Sequence, residues 1–364
     1  MDGSETAPTQ RRMEIAQSRG FAAWLAERRL SVALTTGAFG RLVLVGPGAD
    51  GRLSLFVRGF DGAFGLCGNG QSLLMGTAFQ IWRFENTVAP GKSAAGYDKL
   101  FVPRLAHTIG DVDAGDVAFA ADGTVLFANA LFSCIAAASE EFSFVPVWRP
   151  PFISRLVPEN RCALTGFALE DGRLRYASMG AASDEPRGWE RGIPGAGLVM
   201  ETASGAPVAR GLALPVSPRL HGGQLWLGEA ASGHLGFIHL GTGAFEEVAF
   251  CPGWLSGLAF ADGFAVVATS VARGGRGVGG LPLERNLEAY GAKAQTAICV
   301  VDVARGDVVH WLRFDGLAEI RDVALLAETT HPAALGLAGE DIRRVLSIGP
   351  EQPAQYGRDG GRAV

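Results

Sequence analysis

The chain has 364 residues, 48% of them hydrophobic and 19% charged, so it can bury a large core, and intrinsic disorder is excluded for most of its length. Lys and Arg number 32 against 37 Asp and Glu, a formal charge of -5 that provides no cationic field for a phosphate backbone, so no nucleic-acid partner is expected. No apolar run approaches the roughly 18 residues that span a bilayer, and the start MDGSETAPTQRRMEIAQ is polar where a signal peptide is apolar; the expectation is no membrane partner and a cytoplasmic location.

Residues 1 to about 10 read as a tail. GFAAWLAERRL, 20–30, places Phe21, Trp24, Leu25 and Leu30 near helical spacing and predicts one amphipathic helix. From Ser31 the pattern changes to apolar runs of four to eight residues separated by glycine-containing turns, which predicts antiparallel strands. A hairpin repeats five times: GLCGNGQSLLMG (65–76), DVAFAADGTVLFAN (116–129), GFALEDGRLRYAS (166–178), SPRLHGGQLWLG (217–228) and GLAFADGFAVVAT (257–269). The turn glycines fall at 70, 123, 172, 223 and 263, where a two-residue turn demands positive φ.

Second hairpins follow several of these, such as GFIHLGTGAFEEVAF, and two hairpins make the four-stranded unit of a propeller blade. A sixth inner strand, IRDVALL (320–326), has no partners after it, whereas SVALTT, RLVLVG and SLFVRGF near the start lack an inner strand. Joining the two ends leaves no open ring edge. The expectation is an all-β, six-bladed β-propeller over 31–330, with a tail and helix over 1–30 and a C-terminal excursion over 331–364. A seven-bladed ring or a β-sandwich of repeats is the alternative. Five cysteines, at 67, 134, 162, 251 and 299, show no CxxC spacing and read as reduced, buried residues.

In such a ring the loops entering the inner strands share a face with those joining second to third strands. The longest of the latter, 180–197 and 271–295, are candidate lids over the channel mouth, read as structureless insertions. The entering loops carry the polar residues. His107, Asp111 and Asp113 precede Asp116 and are candidate acid–base residues aimed at the axis. The proline-stiffened stretch WRPPFISRLVPENRC, 148–162, holds Arg149, Arg155, Glu159 and Arg161, a set suited either to capturing an anion or to fastening neighbouring loops. Ser217, Arg219, His221, Trp254 and Arg321 complete the candidate ligand-binding set. Asp116, Ser217 and Asp322 occupy equivalent places in their strands, where carboxylates either hold a cation or cap backbone. The six histidines show no metal spacing, and no Walker loop or GxSxG occurs; no cofactor is predicted, with a divalent metal the alternative.

The words FSFVPVWRPPFISRLVPENRC, GLVMETASGAPVARGLALPVSPRLHGGQLWL, FCPGWLSGLAF, GLPLERNLEAYGA and VVDVARGDVVHWLRFDG give a further indication. Over about 107–326 the chain resembles an uncharacterised bacterial family of predicted β-propeller proteins, a domain of unknown function. The resemblance implies a propeller and no established reaction. In the family pattern histidines stand at the places of Gly115, Ala163 and Val216, where they would ring the axis as metal ligands; their absence puts metal-dependent activity in doubt here.

The reading favoured by these features is a propeller whose channel mouth binds a small anionic molecule or peptide, as an accessory or tailoring protein of a biosynthetic pathway. One alternative is an enzyme, either a metal-assisted hydrolase or lactonase or a lyase or isomerase. Another is an interaction scaffold presenting Phe152, Trp189 and Trp254 to a protein partner.

Overall fold

In the computed structural model, which describes residues 14–37, 39–48, 51–273, 277 and 279–349, the repeated turns fold as their glycines require. Gly70, Gly123, Gly172, Gly223 and Gly263 all take φ between 72° and 85°. At Gly172 the demand is double: a Cβ there would stand 2.6 Å from the backbone nitrogen of Ala121 in the neighbouring blade, whose N–H donates to Gly172 O at 2.9 Å.

The described residues form six antiparallel four-stranded meanders. The inner strands, from blade two round to blade one, are Leu66–Gly68, Ala114–Phe119, Leu164–Glu170, Pro215–His221, Trp254–Ala261 and Asp322–Ala327. Each contacts the next, and the last returns to the first, so the ring is a closed six-bladed β-propeller. Blade one joins the chain ends: Asp322–Ala327 pairs with Leu30–Thr35, matching Val32 with Leu325 and Leu34 with Val323, before Arg41–Pro47 and Leu53–Gly59 complete the sheet. Such a join lets packing in one blade hold both termini.

Alternating side chains of each blade fill the wedge against its neighbour, and six apolar clusters result, one per interface. Helix α1 (Phe21–Arg28) covers the wedge between blades six and one with Phe21, Trp24 and Leu25. Each chain end adds an outer strand. Glu14–Gln17 pairs antiparallel with Asp307–Asp315 of blade six, and within the C-terminal excursion Pro332–Ala334 pairs parallel with Lys99–Thr108 of blade two. The expected tail, 1 to about 10, and positions 350–364 lie outside the described residues.

Both long connections lie between second and third strands. The second is not structureless: it carries α2 (Pro282–Ala289), whose Leu283 and Leu287 are buried between blades five and six. Proline at the helix start, with no N–H to lose, favours that turn. All five cysteines are free, and four are buried. Among the described residues no helix is long and apolar enough to cross a membrane.

Candidate functional site

Polar side chains at the starts of the inner strands tie several blades to their neighbours. The N–H of Leu66 in blade two donates to Asp322 Oδ2 of blade one at 2.8 Å, and the N–H of Phe167 in blade four donates to Asp116 Oδ2 of blade three at 3.1 Å. Ser217 Oγ donates to the carbonyl of Ser256 in blade six, and Ser256 Oγ donates to Ile320 O at 2.7 Å. Ser217 is therefore a seam residue, although its neighbour Val216 lines the channel.

These latches form a floor across the channel. Arg219 reaches from blade five to Asp116 with two parallel bonds, Nη1 to Oδ2 and Nη2 to Oδ1, both 3.0 Å. Its Nη1 also donates to the carbonyls of Phe167 and Pro218. Burial works against the Arg219 charge, but Asp116 and then Asp322 hold its pKa above the ordinary arginine value. Among the described residues Asp322 accepts two backbone N–H groups, those of Leu66 and Val323. Burial, followed by the Asp116 charge, pushes its carboxyl up to about 7 against the opposing pull of Arg219. Cys67 beside them is pushed up to about 11, chiefly by burial. Below the floor lies a cavity of about 380 Å³ lined by Cys67, Arg219, His221 and apolar residues such as Leu169 and Leu325, with His221 stacked on Phe260 at 4.2 Å.

Above the floor, on the face of the long connections, is a mouth cavity of about 280 Å³. Residues just ahead of the inner strands or in their first two positions line it: Asp113, Gly115, Ala163, Val216, Trp254 and Arg321. The loop 180–196 contributes Arg187, Trp189, Glu190 and Ile193, and the loop 271–296 contributes Arg273. Arg321 donates to Asp113 Oδ1 at 2.8 Å and Glu319 Oε1 at 3.2 Å and lies 5.1 Å from the Phe64 ring centroid. Arg187 bonds Glu190. Arg273 differs: its Nη1 is buried and has no hydrogen-bond partner. Burial and then the charge of Arg321 lower the pKa of this guanidinium to about 10, which leaves it protonated at neutral pH. The indole N–H groups of Trp189 and Trp254 are also buried without partners.

Of the residues read from the sequence, Asp113, Trp254 and Arg321 meet at the mouth, whereas Arg219 is part of the floor and His221 lies beyond it. His107 does not point into the channel. The outer strand Lys99–Thr108 runs through it, opposite Ile81, because pairing with Gln80–Asn86 continues into what reads as a loop. Asp111 is exposed and lines neither cavity, so these two do not assemble an acid–base set with Asp113.

The arginine-rich stretch divides in the same way. Arg149 and Arg155 are exposed and line neither cavity. Arg161, only 5% exposed, bonds Glu159 at 2.7 Å and Asp184 at 2.6 Å, fastening its loop to the lid, and so is no anion trap. The proposed aromatic patch is not exposed: Trp254 is 3% accessible, and Phe152 and Trp189 pack half-buried against core clusters. Gly115, Ala163 and Val216 do line the mouth, but their side chains offer no ligating atom, so a metal held there does not fit. Among the described residues no group of three or more His, Cys, Asp and Glu is placed to hold a metal ion.

Sequence reasoning missed Arg187 and Arg273. Their signal was arginine beside glycine within the two lids, DEPRGWERG and VARGG, rather than in the entering loops.

A family model described as Domain of unknown function (DUF4915) matches residues 19–335. No curated protein matches the chain. Among solved structures, a chain of a nidogen/laminin complex is similar at 10% identity with a TM-score of 0.50, covering 82% of this chain and 99% of that one. A virginiamycin B lyase from Staphylococcus aureus is similar at 11% identity and a TM-score of 0.38, covering 70% and 82%, and TolB from Acinetobacter baumannii at 12% and 0.44, covering 83% and 66%. The first of these likenesses is one of fold.

Proposed function

Because the chain belongs to this family of unknown function, membership supplies no activity, and we propose from the mouth alone that the protein binds a small organic anion there. The observation that carries this reading is Arg273. Its Nη1 is buried with no acceptor from the protein, whereas Arg187 and Arg321 at the same cavity are bonded to carboxylates. A buried guanidinium nitrogen left unbonded costs on the order of 1–3 kcal/mol, which an anion in the mouth recovers when the Arg273 side chain turns that nitrogen toward it. The lining carries three guanidinium groups against the carboxylates of Asp113 and Glu190, so the local field favours negative charge although the whole chain is acidic.

The test is ligand-induced thermal stabilisation, measured for the wild type and Arg273→Gln with acetate, citrate, inorganic phosphate and N-acetyl-L-leucine at millimolar concentration. The expected result is a rise in Tm for the wild type with at least one organic anion, lost in Arg273→Gln, whose own Tm without ligand is unchanged or higher. No stabilisation of the wild type by any of them, or an equal response in Arg273→Gln, overturns the reading.

A further inference from the structure

The mouth has two chemically different walls. One is made by Arg273 beside Arg321; the other is apolar, where Ile193, Leu214 and Val216 pack in one cluster with the indoles of Trp189 and Trp254. Both indole N–H groups are buried and unpartnered, so this apolar wall contains donors without acceptors. An inorganic oxyanion would answer Arg273 and leave both indoles unmet, with its charge pressed against hydrocarbon. A simple fatty carboxylate would fill the apolar wall and again leave the indoles unmet. A carboxylate with a neutral carbonyl close by and an apolar branch answers all three demands.

Resting on the anion-binding reading above, we propose that the ligand is an N-acylated α-amino carboxylate with an apolar side chain, either a free N-acyl amino acid or the C-terminal end of a peptide. Its carboxylate meets Arg273, its amide carbonyl accepts from the indoles, and its side chain lies along Leu214 and Val216. The carboxylate of Asp113, half exposed, supplies an acceptor for the ligand's amide N–H. Neither indole N–H touches solvent with the lid in its present place, so capture of the carbonyl goes with a shift of the turn Gly188–Gly192, which carries Trp189.

Isothermal titration of the full chain tests this with five probes: N-acetyl-L-leucine, its C-terminal amide, 4-methylpentanoate, inorganic phosphate, and an N-acetylated pentapeptide ending in leucine. N-acetyl-L-leucine or the pentapeptide is expected to bind at least tenfold tighter than the amide, 4-methylpentanoate and phosphate; which of the two binds tighter identifies the source, and either meets the proposal. In Trp189→Phe the advantage of N-acetyl-L-leucine over 4-methylpentanoate, measured as the ratio of their affinities for the same variant, should fall at least threefold. Trp254→Phe is the second variant, with the same expectation. Phosphate or 4-methylpentanoate binding as tightly as N-acetyl-L-leucine, or an undiminished advantage in both variants, overturns the ligand class and leaves anion binding intact. Absence of binding by every anionic probe overturns both.

Discussion

The mouth and the floor of the channel are built from the same inner strands, often from adjacent residues, yet they handle charge in opposite ways. Arg321 lines the mouth while Asp322 lies in the floor, and Asp113 and Asp116 divide likewise. In the floor, both oxygens of Asp116 meet Arg219 of another blade, and the oxygens of Asp322 accept the N–H of Leu66 across the blade seam and that of its own neighbour Val323. In the mouth, a guanidinium nitrogen and two indole N–H groups are buried without partners. A fully bonded network fixes a fold, whereas orphaned donors of one kind, gathered at one cavity, are stability withheld from the apo protein and available to a ligand.

The comparison can be broken first at the floor. Arg219→Met leaves Asp116 buried and uncompensated and should destabilise the protein by about 3–5 kcal/mol in denaturant unfolding. Adding Asp116→Asn should restore part of that loss. A change under about 1 kcal/mol in Arg219→Met would remove the floor's structural role.

Next comes pH. The Asp322 carboxyl, at about 7 in the folded state against an ordinary 3.8, binds its proton more tightly folded than unfolded. The stability it contributes is therefore fully present below pH 3.8 and is lost as pH rises through 7, by on the order of a few kcal/mol. Asp322→Asn should flatten that part of the stability–pH curve; an unchanged slope between pH 4 and 7 would show that another group is responsible.

A smaller effect separates two arginines of one loop. Arg161→Ala removes the cation between Glu159 and Asp184, which are themselves about one-third exposed, and should lower stability by about 1–2 kcal/mol. Arg155→Ala, at an exposed position, should stay within about 0.5 kcal/mol of the wild type. The smallest expected effect is at the mouth: Arg273→Gln without ligand should match the wild type within about 0.5 kcal/mol or exceed it. A large loss there would make Arg273 a structural residue and erase the contrast with the floor.

Much of the architecture was legible because it rests on local chemistry. Glycine at 70, 123, 172, 223 and 263 marks turns whose φ is positive, and the echo of Asp116-Val117-Ala118 in Asp322-Val323-Ala324 identifies the strand that closes the ring. The positions of both lids follow from the same strand count. The site was legible only in part. Loop-like composition around His107 did not reveal that strand pairing continues through it, and three arginines in one loop looked alike although burial and partners separate them.

The sequence by itself determined the repeated hairpins, their turns and the strands at both ends that lack partners, since turn conformation and strand alternation depend on near neighbours, while closure into six blades was one of the arrangements it allowed. Only the tertiary structure decided which charges are occupied. Arg219 and Asp116 are 103 positions apart, and Arg321 and Asp113 are 208 apart. Whether a charge is paired depends on distances of a few ångströms across the ring, and the one-dimensional order of residues does not contain them.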